Sequence, residues 1–172
     1  MIELIRSSLR DVPDFPKKGV LFKDITPLLK NPAAYTRLID ELYHRYVGRG
    51  VDAIAAVEAR GYLLAAPLAY RLGAGLIPVR KPGKLPCDAH RVTYELEYGT
   101  DTLEMHKDAL SKGQRVVIVD DVLATGGTAS AAIKLVNLCD AEVLETCFLL
   151  ELSFLKGRER LGKTPVHALI TL

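Results

Sequence analysis

Hydrophobic positions follow two periods along this chain, and the two kinds of segment alternate. Apolar runs of strand length occupy 51–57, 75–81, 116–119, 142–152 and 166–172. Apolar residues recur at helical spacing in 1–10, 31–47, 62–72 and an Ala-rich stretch that ends near Leu138. Strands that alternate with helices predict an α/β domain with a mostly parallel central sheet and helices on both of its faces.

Two segments depart from this alternation. Residues 20–27 are short, apolar and interrupted by charge, which predicts an edge strand or a structured loop. Residues 82–100 contain Pro82, Gly83, Pro86 and Gly99 and are long for a connection in a compact domain, which is typical of a lid or a disordered segment. Apolar and polar residues alternate from 92 to 98, and 103–105 alternates similarly, so part of the lid is expected to pair as a β-arm.

Composition narrows the classes of protein. The 172 residues fit one domain, and 23 basic against 21 acidic residues leave a net charge of +2, which does not favour nucleic-acid or membrane binding. Three cysteines without a CxxC pair argue against a disulfide framework or a zinc site. Because 1–10 lacks a signal-peptide core and no apolar run has membrane length, we expect a cytoplasmic protein.

The most informative stretch is 115–128, where candidate chemistry follows a buried strand. The β-branched run 116–119 meets Asp120 and Asp121, and two carboxylates are costly to bury, so we expect them to mark the carboxyl end of the strand. Ligands bind at that edge of open α/β sheets. The turn Ala124-Thr125-Gly126-Gly127-Thr128 then opens a helix, and free N–H groups there favour an anion such as phosphate. No lysine follows Gly127, so this is not a Walker A loop.

This stretch resembles the phosphoribosyl-pyrophosphate (PRPP) signature of type I phosphoribosyltransferases, a family with a parallel sheet. Further motifs narrow the resemblance to the adenine phosphoribosyltransferases of that family. They are Phe-Pro-x-x-Gly-Val-x-Phe-Lys-Asp-Ile-Thr-Pro-Leu-Leu (15–29), Glu-Ala-Arg-Gly-Tyr (58–62), Arg-Lys-Pro-Gly-Lys-Leu-Pro (80–86) and Tyr-Glu-Leu-Glu-Tyr-Gly (94–99). The resemblance covers nearly the whole chain and implies one domain, 1–172, with a small N-terminal hood at 1–30 and a flexible β-arm lid at 82–100.

The resemblance also implies roles for individual residues. Ala124 to Thr128 would hold the 5′-phosphate, and Asp120 with Asp121 the ribose. Arg60 would meet pyrophosphate as a catalytic cation, and Glu97 would transfer the proton of the base. The cations that would assist Arg60 are Arg80, Lys81 and Lys84. The adenine pocket would comprise Leu21, Phe22, Lys23 and Val122, although the family often has arginine at the position of Lys23 and leucine at that of Val122.

The expected reaction is the Mg²⁺-dependent conversion of adenine and PRPP to AMP and pyrophosphate, in purine salvage, by a homodimer without nucleic-acid or membrane partners. Lid closure would exclude water from a reactive ribosyl cation. One alternative is a transferase for a 6-oxopurine, which presents an acceptor where adenine presents a donor. Another is a non-catalytic PRPP-sensing regulator, and that class would be expected to add a winged-helix segment or a basic face. A purely structural oligomer would leave the acidic pair and the glycine turn unexplained.

Overall fold

The structure is a computed structural model that describes residues 2–96 and 99–172. The chain divides into two compact units, Met1–Arg45 and Tyr46–Leu172. The prediction of a single domain, with a hood at 1–30 and a lid at 82–100, stays a prediction.

The first unit contains a small hairpin and helices. Helix α1 (Ile2–Ser7) precedes strands β1 (Arg10–Pro13) and β2 (Leu21–Asp24), which pair antiparallel with Arg10 opposite Asp24. Helices α2 (Thr26–Leu29) and α3 (Pro32–Tyr46) follow. The ambiguous 20–27 segment is therefore a strand that passes directly into a helix, and Pro27 lies in the first turn of that helix, where its missing N–H costs nothing.

The second unit is built on a five-stranded parallel sheet with the order β4-β3-β7-β8-β9. The strands are β3 (Ala53–Val57), β4 (Gly75–Val79), β7 (Arg115–Leu123), β8 (Glu142–Glu151) and β9 (Val166–Thr171), and the main helices are α4 (Arg60–Leu72) and α5 (Gly127–Leu138). The chain moves outward from β3 to β4 through α4 and in the opposite direction from β7 to β8 through α5. Because such crossovers are right-handed, the two helices lie on opposite faces of the sheet. The predicted α/β fold is confirmed.

Burial on both faces explains why the central strands are continuous apolar runs. All five residues of β3 are buried, and Ala53, Ala55 and Val57 share a core cluster with Val116 and Ile118 of β7. The inward side chains of α5 in this cluster are Ala131, Ala132, Leu135 and Val136. Small residues on α5 let the helix pack closely against the sheet. The connection from Leu123, the last residue of β7, to Gly127 is short, so α5 begins close to the carboxyl end of that strand.

A separate antiparallel hairpin joins β4 to β7. Its strands are β5 (Ala89–Glu95) and β6 (Thr100–His106), with Val92 opposite Leu103. The predicted β-arm is confirmed as a hairpin, but its register differs from the predicted pairing, because Leu103 lies opposite Val92 whereas Met105 lies opposite His90. None of the described helices is both long and apolar enough to span a membrane.

Candidate active site

The candidate site lies at the point where the strand order of the sheet reverses. Strand β3 neighbours β4 on one side and β7 on the other, so the turns that follow β3 and β7 open at the same edge of the sheet. This is the position at which open α/β sheets bind ligands. Arg60, the first residue of α4, connects the start of that helix to strand β7 through an ion pair of 2.9 Å between its Nε and Asp121 Oδ2.

Gly61 allows this close approach of α4 to β7. A Cβ atom at Gly61 would lie 2.8 Å from the carbonyl oxygen of Val119 and 3.2 Å from Asp120 Oδ1. Both distances are below ordinary van der Waals contact, so a side chain here would displace the helix start or the strand. The glycine therefore sets the position of Arg60 relative to the acidic pair.

The acidic pair is held in an electrostatically costly arrangement. Asp121 is only 2% exposed, and its N–H donates to Asp120 Oδ1 at 2.8 Å. Burial and the neighbouring charge of Asp121 raise the pKa of Asp120 well above its usual range. Burial also raises the pKa of Asp121, although Arg60 opposes that rise. Ribose hydroxyls, which donate hydrogen bonds, are the kind of group that would relieve this pair.

The prediction that the strand ends at the acidic pair was wrong by two residues. Strand β7 continues to Leu123, because Val122 pairs with Leu150 and Leu123 with Glu151 of β8. Leu123 is buried, and the ion pair with Arg60 allows the Asp121 carboxylate to lie inside the strand rather than after it. The acids thus point from a rigid strand instead of a loop.

The glycine turn leads directly into α5. Gly126 adopts a left-handed φ of 84° and provides no side-chain cap, while Gly127 is the first helical residue. Thr125 is exposed, Thr128 lies in the first turn, and this turn contains no acidic side chain. Its N–H groups and the positive end of the helix dipole are the groups that would attract an anion, and phosphate binding at 124–128 stays a prediction.

Three predicted pyrophosphate cations gather beside Glu58, which directly precedes Ala59 and Arg60. Glu58 Oε2 lies 2.7 Å from Lys84 Nζ and 3.6 Å from Arg80 Nη2, and Glu58 Oε1 accepts a short hydrogen bond from the Lys81 N–H. Burial raises the pKa of Glu58, but the hydrogen bonds from Lys84 and Lys81 outweigh it and hold the pKa below its usual range. Glu58 is therefore ionised and neutralises part of this basic cluster.

A second acid engages Lys81 and links it to the glycine turn. Asp101 Oδ2 forms a short ion pair with Lys81 Nζ and accepts a 3.2 Å hydrogen bond from the Tyr94 hydroxyl. Tyr94 Oη also lies 3.2 Å from Thr128 Oγ1. The β5–β6 hairpin thus contacts both the predicted pyrophosphate cations and the start of α5.

Comparison with known proteins decides the family. The phosphoribosyl transferase domain family matches residues 24–164. The adenine phosphoribosyltransferase of Geotalea daltonii is 56% identical over 169 residues, which are 98% of this chain and 99% of that protein. The chain belongs to the adenine phosphoribosyltransferase family. It is therefore an enzyme, a pentosyltransferase of purine salvage.

Solved structures of the adenine phosphoribosyltransferase family share this fold. The enzyme from Thermoanaerobacter pseudethanolicus has a TM-score of 0.97 and 55% identity, with 100% of both chains covered. The Saccharomyces cerevisiae enzyme, complexed with D-2,5-dideoxy-2,5-imino-altritol 1,6-bisphosphate and adenine, has a TM-score of 0.93 and 43% identity over 98% of this chain and 97% of that chain.

The predicted adenine-pocket residues belong to different units of the chain. Phe22 packs edge-on against Phe15 with ring centroids 5.0 Å apart, Lys23 pairs with Asp11 at 2.5 Å, and Leu21 is 51% exposed. Val122 is half-buried in β7 of the other unit. The pocket they would form in an adenine phosphoribosyltransferase stays a prediction. Glu97, the predicted proton-transfer residue, lies outside the described residues.

Several residues of the site were not predicted from the sequence. They are Glu58, Tyr94 and Asp101. Glu58 stands in the Glu-Ala-Arg-Gly-Tyr motif of the adenine phosphoribosyltransferases, and an acid directly before the site arginine was an available signal. Tyr94 belongs to the alternation of the β-arm and to the 94–99 motif, neither of which indicates its contact with Thr128. Asp101 had no local signal, because its ion-pair partner Lys81 lies 20 residues earlier in the sequence.

Proposed function

We propose that this chain converts adenine and PRPP to AMP and pyrophosphate at the carboxyl edge between β3 and β7. The observation that carries the proposal is the 2.9 Å ion pair of Arg60 with Asp121 beside the glycine turn that opens α5. It unites a cation, two hydroxyl acceptors and an anion cradle, and PRPP contains a diphosphate, a ribose and a 5′-phosphate. The names of the relatives support adenine, rather than a 6-oxopurine, as the base.

Each part of PRPP has a matching group on the chain. The 5′-phosphate would bind the N–H groups and hydroxyls of 124–128, and the ribose hydroxyls would donate to Asp120 and Asp121. The pyrophosphate would bind Arg60, Arg80, Lys81 and Lys84. As the C1′–O bond breaks, negative charge grows on the leaving pyrophosphate, and cations fixed at that position stabilise the transition state more than the ground state.

The base supplies the electron pair for the new bond. N9 of adenine attacks C1′ of the ribose, and the N9 proton must leave as the N9–C1′ bond forms. We propose that Glu97 accepts this proton, by resemblance to the family. Phe22 and Val122 would pack on the purine faces, with Leu21 and Lys23 beside them. The lid at 82–100 would close to shield the ribosyl cation from water, as the resemblance to the family implies.

Mg²⁺ is the metal that this chemistry implies. Among residues 2–96 and 99–172, no cluster of three or more His, Cys, Asp or Glu side chains is arranged to enclose a metal ion. The carboxylates of Asp120 and Asp121 are nevertheless the hard oxygen donors that Mg²⁺ prefers, and Mg²⁺ keeps few protein ligands when phosphates complete its shell. The site therefore fits a Mg²⁺ ion that arrives with PRPP, and the ion would neutralise charge on the pyrophosphate.

The assembly and the cellular location belong to the same proposal. Resemblance to the family leads us to propose a homodimer in the cytoplasm, with adenine and PRPP as its partners and no nucleic acid or membrane. Light scattering at micromolar concentration would test the dimer, because a monomer has about half the scattering mass. Cell fractionation would test the location.

The reaction is tested by pyrophosphate release with PRPP and Mg²⁺, offering adenine, hypoxanthine, guanine and xanthine in parallel. Release with adenine alone is expected, reduced in both Glu97→Gln and Asp121→Asn. Turnover with an oxopurine would contradict the adenine pocket. PRPP binding without turnover of any base would favour the non-catalytic regulator instead.

A further inference from the structure

The short 3₁₀ helix Gly157–Leu161 stands behind the glycine turn, and its first arginine anchors it. Arg158 Nε and Nη2 donate to the two oxygens of Glu151 at 2.6 and 2.7 Å, and Arg158 Nη1 donates to the Val166 carbonyl at 2.9 Å. A guanidinium with a bidentate carboxylate and a carbonyl has most of its donors satisfied. The position of the 3₁₀ helix is therefore fixed by Arg158.

The backbone of this helix packs directly against the glycine turn. A Cβ atom at Gly126 would collide with the carbonyl oxygen of Gly157, and one at Gly157 would collide with the carbonyl oxygen of Ala124. Leu161 at the end of the 3₁₀ helix is buried with Leu123. The two segments are thus closely packed, and a side chain on the 3₁₀ helix has a defined position relative to the anion cradle.

Arg160 extends from this helix to the start of α5. Its Nη1 lies 3.3 Å from the position that a Cβ atom on Gly127 would occupy. Within the described part of the chain, the Arg160 side chain is exposed and its guanidinium takes part in no ion pair or hydrogen bond, in contrast to that of Arg158 two residues earlier.

This placement is electrostatically unfavourable without a ligand. The N-terminal end of a helix carries about half a positive charge, so a guanidinium beside it is repelled. No acidic side chain in the first turn of α5 compensates. An anion placed between the helix N–H groups and the guanidinium would turn both positive charges into attractions.

We propose that Arg160 is a substrate-binding residue that closes the 5′-phosphate site opposite the N–H groups of α5. The inference rests on the proposed function, because it assigns a second wall to the phosphate cradle of that reaction. The phosphomonoester would be held between backbone donors on one side and a planar guanidinium on the other. Its binding would therefore depend on Arg160, whereas binding of pyrophosphate at Arg60, Arg80 and Lys84 would not.

The test compares two anions on the full chain by titration calorimetry, ribose 5-phosphate and inorganic pyrophosphate. The variants are Arg160→Gln and Arg160→Lys, with Lys163→Gln as the matched control that removes an exposed charge three residues away. A charge-assisted hydrogen bond contributes enough that Arg160→Gln should weaken ribose 5-phosphate about tenfold or more. Pyrophosphate affinity should change less than twofold, Arg160→Lys should recover most of the loss, and Lys163→Gln should match the wild type.

The outcomes separate this inference from the proposed function. A wild-type chain that binds neither anion would refute the proposed function itself, before any variant is compared. Wild-type binding with unchanged ribose 5-phosphate affinity in Arg160→Gln would overturn the role of Arg160. Equal weakening of both anions would also overturn it, because the effect would then be general. Thermal melting of each variant ensures that folded protein is compared.

Discussion

Replacement of Gly61 by alanine tests whether the contact between α4 and β7 sets the geometry of the site. The added Cβ atom would lie 2.8 Å from the carbonyl oxygen of Val119, closer than real Cβ atoms come to other heavy atoms. Val119 is paired on both sides, with Ala56 of β3 and Cys147 of β8, so the strand resists movement. The start of α4 must therefore shift and carry Arg60 with it.

Two opposing free energies decide the stability of Gly61→Ala. Alanine favours a helix over glycine by about 0.5–1 kcal/mol, whereas overpacking a close contact costs about 1–3 kcal/mol. The net effect is a destabilisation of about 0–2.5 kcal/mol. Activity should fall more, because Arg60, the proposed catalytic cation, would lose much of its alignment if it moved by about 1 Å. We expect kcat/KM to drop about 10- to 100-fold.

Gly75→Ala is the matched control for this prediction. A Cβ atom at Gly75 would lie 3.7 Å from the Asp52 carbonyl oxygen and 3.8 Å from Ala53 Cβ, which are ordinary contacts. It makes the same chemical change on the edge strand β4, so kcat/KM should stay within about threefold of the wild type. Steady-state kinetics and thermal melting of both variants are the assays. Wild-type kcat/KM in Gly61→Ala would refute the reasoning.

Three further predictions follow from the polar contacts. Asp120→Asn removes a buried charge, so it should increase the free energy of unfolding at pH 7 and raise Tm by about 2–4 °C for each kcal/mol of that increase, while it lowers activity. Because the pKa of Asp120 is raised in the folded state, the free energy of unfolding falls as the pH rises above the unfolded-state pKa near 3.8. Asparagine cannot ionise, so Tm should fall less between pH 4 and 7 in Asp120→Asn than in the wild type, as thermal melting would measure. Glu58→Gln should tighten pyrophosphate binding about three- to tenfold by calorimetry, since it removes the carboxylate that lies 2.7 Å from Lys84 Nζ; weaker binding would contradict this. Tyr46→Phe removes a buried 2.6 Å hydrogen bond to Glu145 and should cost about 1–3 kcal/mol in urea unfolding, a loss that a surface Tyr70→Phe should not show.

Sequence patterns predicted the elements whose structure is determined by residues adjacent in the sequence. Adjacent residues determine the strand at 116–119, the glycine turn and the Ala-rich helix behind it. Burial of a strand on both faces requires a continuous apolar run, and an anion cradle requires small residues. The hairpin β5–β6 could also be predicted, because its apolar and polar residues alternate with the period of two that is typical of strands. The end of β7 could not be predicted locally, because the burial of the Asp121 carboxylate depends on its ion pair with Arg60, which lies 61 residues earlier.

Charge pairing was the feature that single stretches could not predict. The basic residues at 80–84 are an evident anion-binding cluster, but the sequence does not show which acids face them. Those acids come from the end of β3 and from β6, and the register of two separate sheets brings Glu58 and Asp101 to the cluster. Arg158 and Arg160 illustrate the same limit, because two arginines in one short helix differ only in what the fold places opposite them.

These pairings give the two ends of the site different binding properties. If the proposed function holds, pyrophosphate must displace Glu58 from Lys84 and Asp101 from Lys81. The free energy needed to break these ion pairs reduces the net affinity for pyrophosphate. The phosphate cradle has no such competitor among the described residues of the α5 first turn. Binding strength is thus expected to concentrate on the end of PRPP that does not leave. Because both carboxylates can recapture their lysines, the leaving end is weakly retained after the C1′–O bond breaks, which favours release of pyrophosphate over its accumulation on the enzyme.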